Sequence, residues 1–265
     1  MITFPATAVS FDALKGQSYR PAGDFRAFQQ TPSLPVLITE LASLIGHYVL
    51  AFKKQGHVFV PVILTDIGFN RNLYIGKDGL WMARYLPLCL QNYPFCLSLN
   101  EAGERVLGIA SDQLGAEGQG GALPLFQEDG RLSESAEKHR SNLEKLEEVF
   151  QANLQQVQVL ADEGLIVEWP LKVRLEKDAE PAAIEGLYRV DPEKLLALSG
   201  DKLEQLKNHG VLTFALSQPM SMRHTGVLME RARYLIQQGA QSRKAPALEP
   251  RTLSFDLSDD DMISF

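Results

Sequence analysis

Between Asn72 and Phe95 the sequence runs NLYIGKDGLWMARYLPLCLQNYPF, the most unusual stretch of a 265-residue chain. Tyr74, Trp81, Tyr85, Tyr93 and Phe95 stand there among Asn72, Asp78, Arg84 and Asn92. Aromatic rings bring large contact area at low entropic cost, and nearby polar groups orient a ligand. A guanidinium such as Arg84 can hold a carboxylate through two parallel hydrogen bonds. Asn72, Tyr74, Asp78, Trp81, Arg84, Tyr85 and Tyr93 are therefore the candidate ligand- or partner-binding residues. The same pattern also describes an aromatic core closed by a capping turn, and sequence alone leaves both readings open.

Other chemistries find less support. The five histidines, His47, His57, His139, His209 and His224, form no H-x-H, no H-E-x-x-H and no Cys/His zinc spacing. No metal site is expected, and no motif specifies a cofactor. No G-x-S-x-G nucleophile elbow occurs. The two cysteines, Cys89 and Cys96, each lie in an apolar run and read as reduced, buried thiols. The loop Gly115-Ala-Glu-Gly-Gln-Gly-Gly lacks the Lys-Ser/Thr of a phosphate-binding loop and carries Glu117, so it reads as a linker or flap. An enzyme remains the alternative, with Asp78, His57 and Arg84 brought together by folding to act on a peptide or small polar substrate.

The elements that must position these residues follow from periodicity and punctuation. His57–Leu64 is β-branched and aromatic, hence a strand, with Pro61 pointing to an edge or bulge. Asn72–Ile75 reads as a short strand before a Lys77-Asp78-Gly79 turn, and Trp81–Asn92 as a short helix interrupted near Pro87. Pro94–Leu99 and Arg105–Ala110 form a hairpin. A buried helix is expected around Ile38–Leu50, and residues 1–33 read as irregular.

Ser133–Glu163 predicts one long amphipathic helix. Leu143, Leu146, Phe150, Leu154, Val157 and Leu160 step by three or four along one face, Ser133 caps the start and Gly164 stops the end. Strands follow at Leu165–Trp169, Leu171–Leu175 and Gly186–Val190. A helical cluster closes the fold, opened by Asp191-Pro192 and by an Asp201-x-x-Glu204 capping box, and ended by Met222–Gln238. The expected class is α+β: a mostly antiparallel sheet, a long amphipathic helix and a C-terminal helical cluster, as one domain over residues 1–240. Residues 241–265 read as a disordered acidic tail.

Bulk composition narrows the partners. Apolar residues make up 45% and charged residues 22%, so a sizeable core is available. A net charge of −7 disfavours a surface that tracks nucleic-acid phosphates. The start lacks the basic and apolar regions of a signal peptide, and no apolar run approaches the roughly 20 residues that span a bilayer. A cytoplasmic protein is expected. The tail's acidic stretch and apolar end, Asp259-Asp-Asp-Met-Ile-Ser-Phe265, serve either solubility or docking to a protein. Its tip is similar to the acidic tail of bacterial single-stranded-DNA-binding proteins, without the Pro before the final Phe.

At the level of whole motifs the chain resembles the bacterial SapC-like family over roughly residues 1–240. The resemblance rests on Asn72-Leu-Tyr-Ile, Asp78-Gly-x-Trp81, Ala83-Arg-Tyr85-x-Pro87 and Tyr93-Pro-Phe95. It continues through Leu125-Phe126, Asp129-Gly130, Gly186-Leu-Tyr-Arg-Val-Asp191 and Lys194-Leu-x-x-Leu-Ser199. Where the family often has Arg before Tyr-Pro-Phe, this chain has Gln91 and Asn92, so no basic contact is implied there. The family label carries no fixed activity. The resemblance implies a cytoplasmic accessory or binding protein, partnering flavin-dependent halogenase-like or cupin-like hydroxylase enzymes in a nutrient-uptake or peptide-modification system.

Overall fold

The computed structural model describes residues 4–99, 104–116, 121–174 and 182–244. The chain opens with strand β1 (Ala6–Ala8), helix α1 (Phe11–Leu14) and strand β2 (Gln17–Tyr19). Strand β3 (Ser33–Pro35) and helix α2 (Leu41–Leu44) lead to the hairpin of β4 (Leu50–Gln55) and β5 (Val58–Leu64). After an irregular excursion come helix α3 (Leu88–Gln91) and strands β6 (Phe95–Leu99), β7 (Arg105–Ala110), β8 (Leu114–Ala116) and β9 (Leu123–Pro124). Helix α4 (Glu134–Asp162) precedes strands β10 (Ile166–Glu168), β11 (Leu171–Val173), β12 (Ala182–Ile184) and β13 (Leu187–Val190). Helices α5 (Pro192–Leu196), α6 (Gly200–Asn208), α7 (Leu212–Ser221) and α8 (Thr225–Lys244) complete the order.

The class is the expected α+β, and every pairing between these strands is antiparallel. The principal sheet has the order β10-β13-β4-β5-β3. Two smaller sheets, β1-β7-β6 and β8-β2-β9, lie with the N-terminal half of α4, and β11 pairs with β12. Two apolar cores result. The larger one joins the principal sheet, the 67–93 excursion, the C-terminal half of α4 and the helical cluster. The smaller joins Leu14, Tyr19, Phe95, Leu107, Ile109 and Leu125 to Ala136 and Leu143 of α4. The long helix thus serves both cores with one face.

That face matches the periodic expectation at Leu143, Phe150, Val157 and Leu160, which are buried, while Leu146 and Leu154 are half-buried. It also contains a polar residue that periodicity does not find. Asn153 is 1% exposed, accepts from the Ile38 backbone N–H at 2.7 Å and donates to the Val149 carbonyl at 2.6 Å. An amide so enclosed survives because both of its ends are partnered.

Several local expectations need correction. Asn72–Ile75 is not a strand; only Ile75 pairs, in an isolated bridge with Trp81. The helix expected over Ile38–Leu50 is a 3₁₀ turn at Ile38–Glu40 followed by α2, and Leu50 already begins β4. Residues 1–33 carry β1, α1 and β2. Strand β5 is interior, yet Pro61 fits because β3 ends beside it. Val36 N–H donates to the Pro61 carbonyl just past β3, so the proline sits where the β3–β5 ladder ends. Ser199, not Asp201, caps α6. The Ser133 cap of α4 and the Asp191-Pro192 start of α5 are as expected.

Helix α7 is fastened to the sheet by two side chains, Gln218 and Ser221. Strand β13 meets β4 through Leu187↔Lys53 and Tyr188↔Phe52, and there the ladder ends. Buried Gln218 continues it, accepting from Val190 N–H and donating to the Leu50 carbonyl, both at 2.8 Å. Ser221 adds a hydroxyl that accepts from Leu50 N–H at 2.9 Å. Among the described residues no helix is long and apolar enough to cross a membrane. Helix α8 runs to Lys244, past the expected boundary at 240. The rest of the expected tail, and residues 117–120 of the glycine-rich loop, lie outside the described residues.

Candidate functional site

The 66–95 excursion is shaped by its own polar side chains. Asp66 accepts from the backbone N–H groups of Ile67 and Phe69 at 2.8 Å and of Asn70 at 3.0 Å, which turns the chain at the end of β5. Asn72 accepts from Tyr74 N–H at 3.0 Å and donates to the Phe28 carbonyl at 3.4 Å. Its amide is wholly buried and consumed by the backbone.

A tight loop follows. Gly76 N–H donates to the Leu80 carbonyl at 2.9 Å, and Asp78 accepts from Leu80 N–H at 3.1 Å. Gly79 has φ +84°, and a Cβ there would sit 2.3 Å from an Asp24 carboxylate oxygen. Glycine is thus required both by backbone and by space. Met82 N–H donates to the Tyr74 carbonyl at 2.7 Å and returns the chain to the body of the protein. The loop holds Lys77, Asp78 and Leu80 out from the surface.

Behind the loop the rings form a stack. Trp81 lies on Tyr74 with centroids 5.5 Å apart and planes 19° from parallel. Arg231 of α8 places its guanidinium 4.7 Å from the Tyr74 ring centroid. The Trp81 indole N–H donates to the Tyr48 hydroxyl at 2.9 Å and to the Tyr85 carbonyl at 3.1 Å. The Tyr48 hydroxyl donates to that same carbonyl. The Tyr85 hydroxyl donates to Glu40 at 3.0 Å.

Glu40 anchors this network. Its carboxyl is 5% exposed and also accepts from the N–H groups of Leu37 at 2.8 Å and Leu88 at 3.0 Å. Burial raises its pKa above the ordinary 4.5, while the three donors pull the other way. Burial likewise pushes up the phenols of Tyr48, Tyr74 and Tyr85. These groups hold the loop in place.

The seven candidate residues therefore separate. Asn72, Tyr74 and Tyr93 are interior, Tyr93 against Phe4 and Phe28 at 5.3 and 5.1 Å. Tyr85 is half-buried and turned to Glu40. Arg84 is exposed and forms no ion pair among the described residues. Asp78 and Trp81 do meet, in a cleft of about 770 Å³ between the loop and α8. The wall on the loop side is Leu80, Trp81 and Met82; the opposite wall is Glu230, Arg231, Tyr234 and Leu235. His57 and Arg84 do not line it.

Sequence reasoning missed Glu40 and the α8 wall. A signal for Glu40 exists, since it is the one carboxylate in the apolar run from Leu34 to Phe52. Nothing local marks Arg231, whose partner Tyr74 is distant in the chain. A model of the SapC family matches residues 12–228 of this chain. No curated protein and no solved structure matches it.

Proposed function

Since the chain belongs to the SapC family, we propose that it is a cytoplasmic accessory protein whose cleft between the Gly76–Met82 loop and α8 captures a segment of a partner protein. The observation that carries this is the exposure of large apolar side chains at one place. Leu80 is 51% exposed, Met82 45% and Tyr234 60%, and all three rim the same cleft. Single exposed apolar residues are ordinary, but a cluster around a cleft fits an interaction surface. Trp81 provides a rigid base, fixed by its two hydrogen bonds and by Tyr74.

A protein segment suits the cleft better than a small polar substrate. The walls are mainly apolar, and charges of both signs, Lys77, Asp78, Glu230 and Arg231, share the lining. An apolar core within a polar rim is the usual anatomy of a protein contact. The partner class that the family resemblance implies is a halogenase-like or cupin-like hydroxylase enzyme. The enzyme alternative has less to stand on, because of Asp78, His57 and Arg84 only Asp78 lines the cleft.

The test is tagged co-purification from the native host with mass spectrometry, comparing the natural chain with a Leu80→Glu/Met82→Glu variant. Recovery of such an enzyme with the natural chain alone is the expected result. Equal recovery with both chains would overturn the assignment of the cleft.

A further inference from the structure

A second cleft, lined by α4, has a different chemistry. It runs along α4 from Ser135 to Val149. Its volume is about 720 Å³, within the range of small-molecule sites. One wall is α4 itself, and the other is built from Leu37, Leu88, Gln91 and Asn92.

Charge is what distinguishes it. The chain carries a net charge of −7, yet the lining holds Lys138, Lys145 and His139 and no carboxylate. Lys138, Asn142 and Lys145 follow at i, i+4 and i+7, so two ammonium groups and an amide stand in one row. Neither lysine is used in an ion pair among the described residues. Glutamates elsewhere on the helix are so used, Glu137 by Arg140 and Glu147 by Arg105. The buried Glu40 carboxyl does not line the cleft and is occupied by the N–H groups of Leu37 and Leu88 and by Tyr85.

Beside the row of donors the surface becomes apolar. Leu146 and Val149 continue along α4, facing Leu37 and Leu88. His139 marks the polar end. Its ring stacks on Phe95 with centroids 4.9 Å apart, and its Nδ1 lies 3.2 Å from the Asn92 side-chain oxygen. From Lys138 to Val149 the helix rises about 16 Å, enough for a charged head and an extended tail.

We infer that this cleft binds an amphiphilic monocarboxylate, its carboxylate held by Lys138, Asn142 and Lys145 and its apolar chain laid along Leu146, Val149, Leu37 and Leu88. The site is separate from the partner cleft, shares no lining residue with it, and does not rest on that reading.

Calorimetric titration of the full chain with sodium decanoate, below its micelle threshold, tests the assignment, with 1-decanol and sodium acetate as partial ligands. Saturable one-site binding of decanoate is expected, with 1-decanol and acetate each weaker by roughly tenfold or more, the worth of a hydrogen-bonded charge or of a buried chain. The exposed lysines allow a variant, Lys138→Gln/Lys145→Gln, that leaves thermal unfolding unchanged and weakens decanoate binding by about tenfold. Decanoate should also shift the NMR signals of the His139 ring. Absence of saturable decanoate binding, equal binding of 1-decanol, or an unchanged affinity in the lysine variant would each overturn the inference.

Discussion

The indole of Trp81 lies on the ring of Tyr74, 5.5 Å between centroids and 19° from parallel, so the floor of an open cleft is also the outer layer of the core. Tyr74 is wholly buried and Trp81 half-buried. The proposed contact surface and the core therefore share one pair of rings, and substitutions there must be chosen to separate binding from stability. Trp81→Ala removes the stack and both hydrogen bonds, and is expected to cost about 3 kcal/mol. Trp81→Phe keeps a ring and loses the donor, with an expected cost of about 1 kcal/mol. Chemical denaturation of both variants checks the difference; equal losses would show that the stack is not the stabilising part.

Glu40 fixes the far side of the same network. Glu40→Ala leaves the buried N–H groups of Leu37 and Leu88 and the Tyr85 hydroxyl without their acceptor. The expected loss is on the order of 3 kcal/mol. Glu40→Gln retains one oxygen acceptor and should lose about half as much. Denaturant midpoints of the two variants measure this directly.

Gln218 is expected to matter as much as any apolar core residue. Gln218→Leu fills the same space but strands Val190 N–H and the Leu50 carbonyl at the open end of the β4–β13 ladder. A loss of about 3 kcal/mol follows, with faster hydrogen exchange at Val190 and at Leu50, whose own N–H bonds to Ser221.

How much of this was readable beforehand depends on how local each cause is. Helix α4 was legible because Ser133 and Gly164 bracket it and Leu143, Phe150, Val157 and Leu160 repeat at helical spacing. The β6–β7 hairpin was legible from two strand-like runs joined by the turn sequence Asn100-Glu-Ala-Gly-Glu. Asn72–Ile75 looked like a strand because its residue types fit one, but Asn72 spends its amide on Phe28 and Tyr74, and only Ile75 finds a bridge. In the candidate site, the aromatic density was visible while its division was not. Tyr93 and Trp81 look alike in sequence; what sends Tyr93 inward is its packing against Phe4 and Phe28, residues far away in the chain. Arg231 and Gln218 owe their roles to contacts between distant segments, for which sequence offers no period.

His139 gives the fold a pH dependence. Burial, with Lys138 nearby, holds its pKa below the ordinary 6.5. As pH falls, the unfolded chain takes up the proton first. The stability contributed by neutral His139 is therefore complete above 6.5 and is lost as pH falls through the folded-state pKa. Between about pH 7.5 and about pH 5 the unfolding temperature should drop further in the natural chain than in His139→Gln. Parallel slopes would remove His139 as the source.

The central claim, that the loop–α8 cleft is where a partner binds, is tested most directly by an equilibrium dissociation constant. The purified chain would be titrated with the enzyme recovered by co-purification, alongside Leu80→Glu/Met82→Glu and a control, Leu196→Glu. Leu196 is 77% exposed and does not line the cleft. The double variant is expected to weaken binding by about a hundredfold, as loss of a central apolar anchor does, and the control to bind as the natural chain does. An unchanged constant in the double variant, or an equal loss in the control, would contradict it.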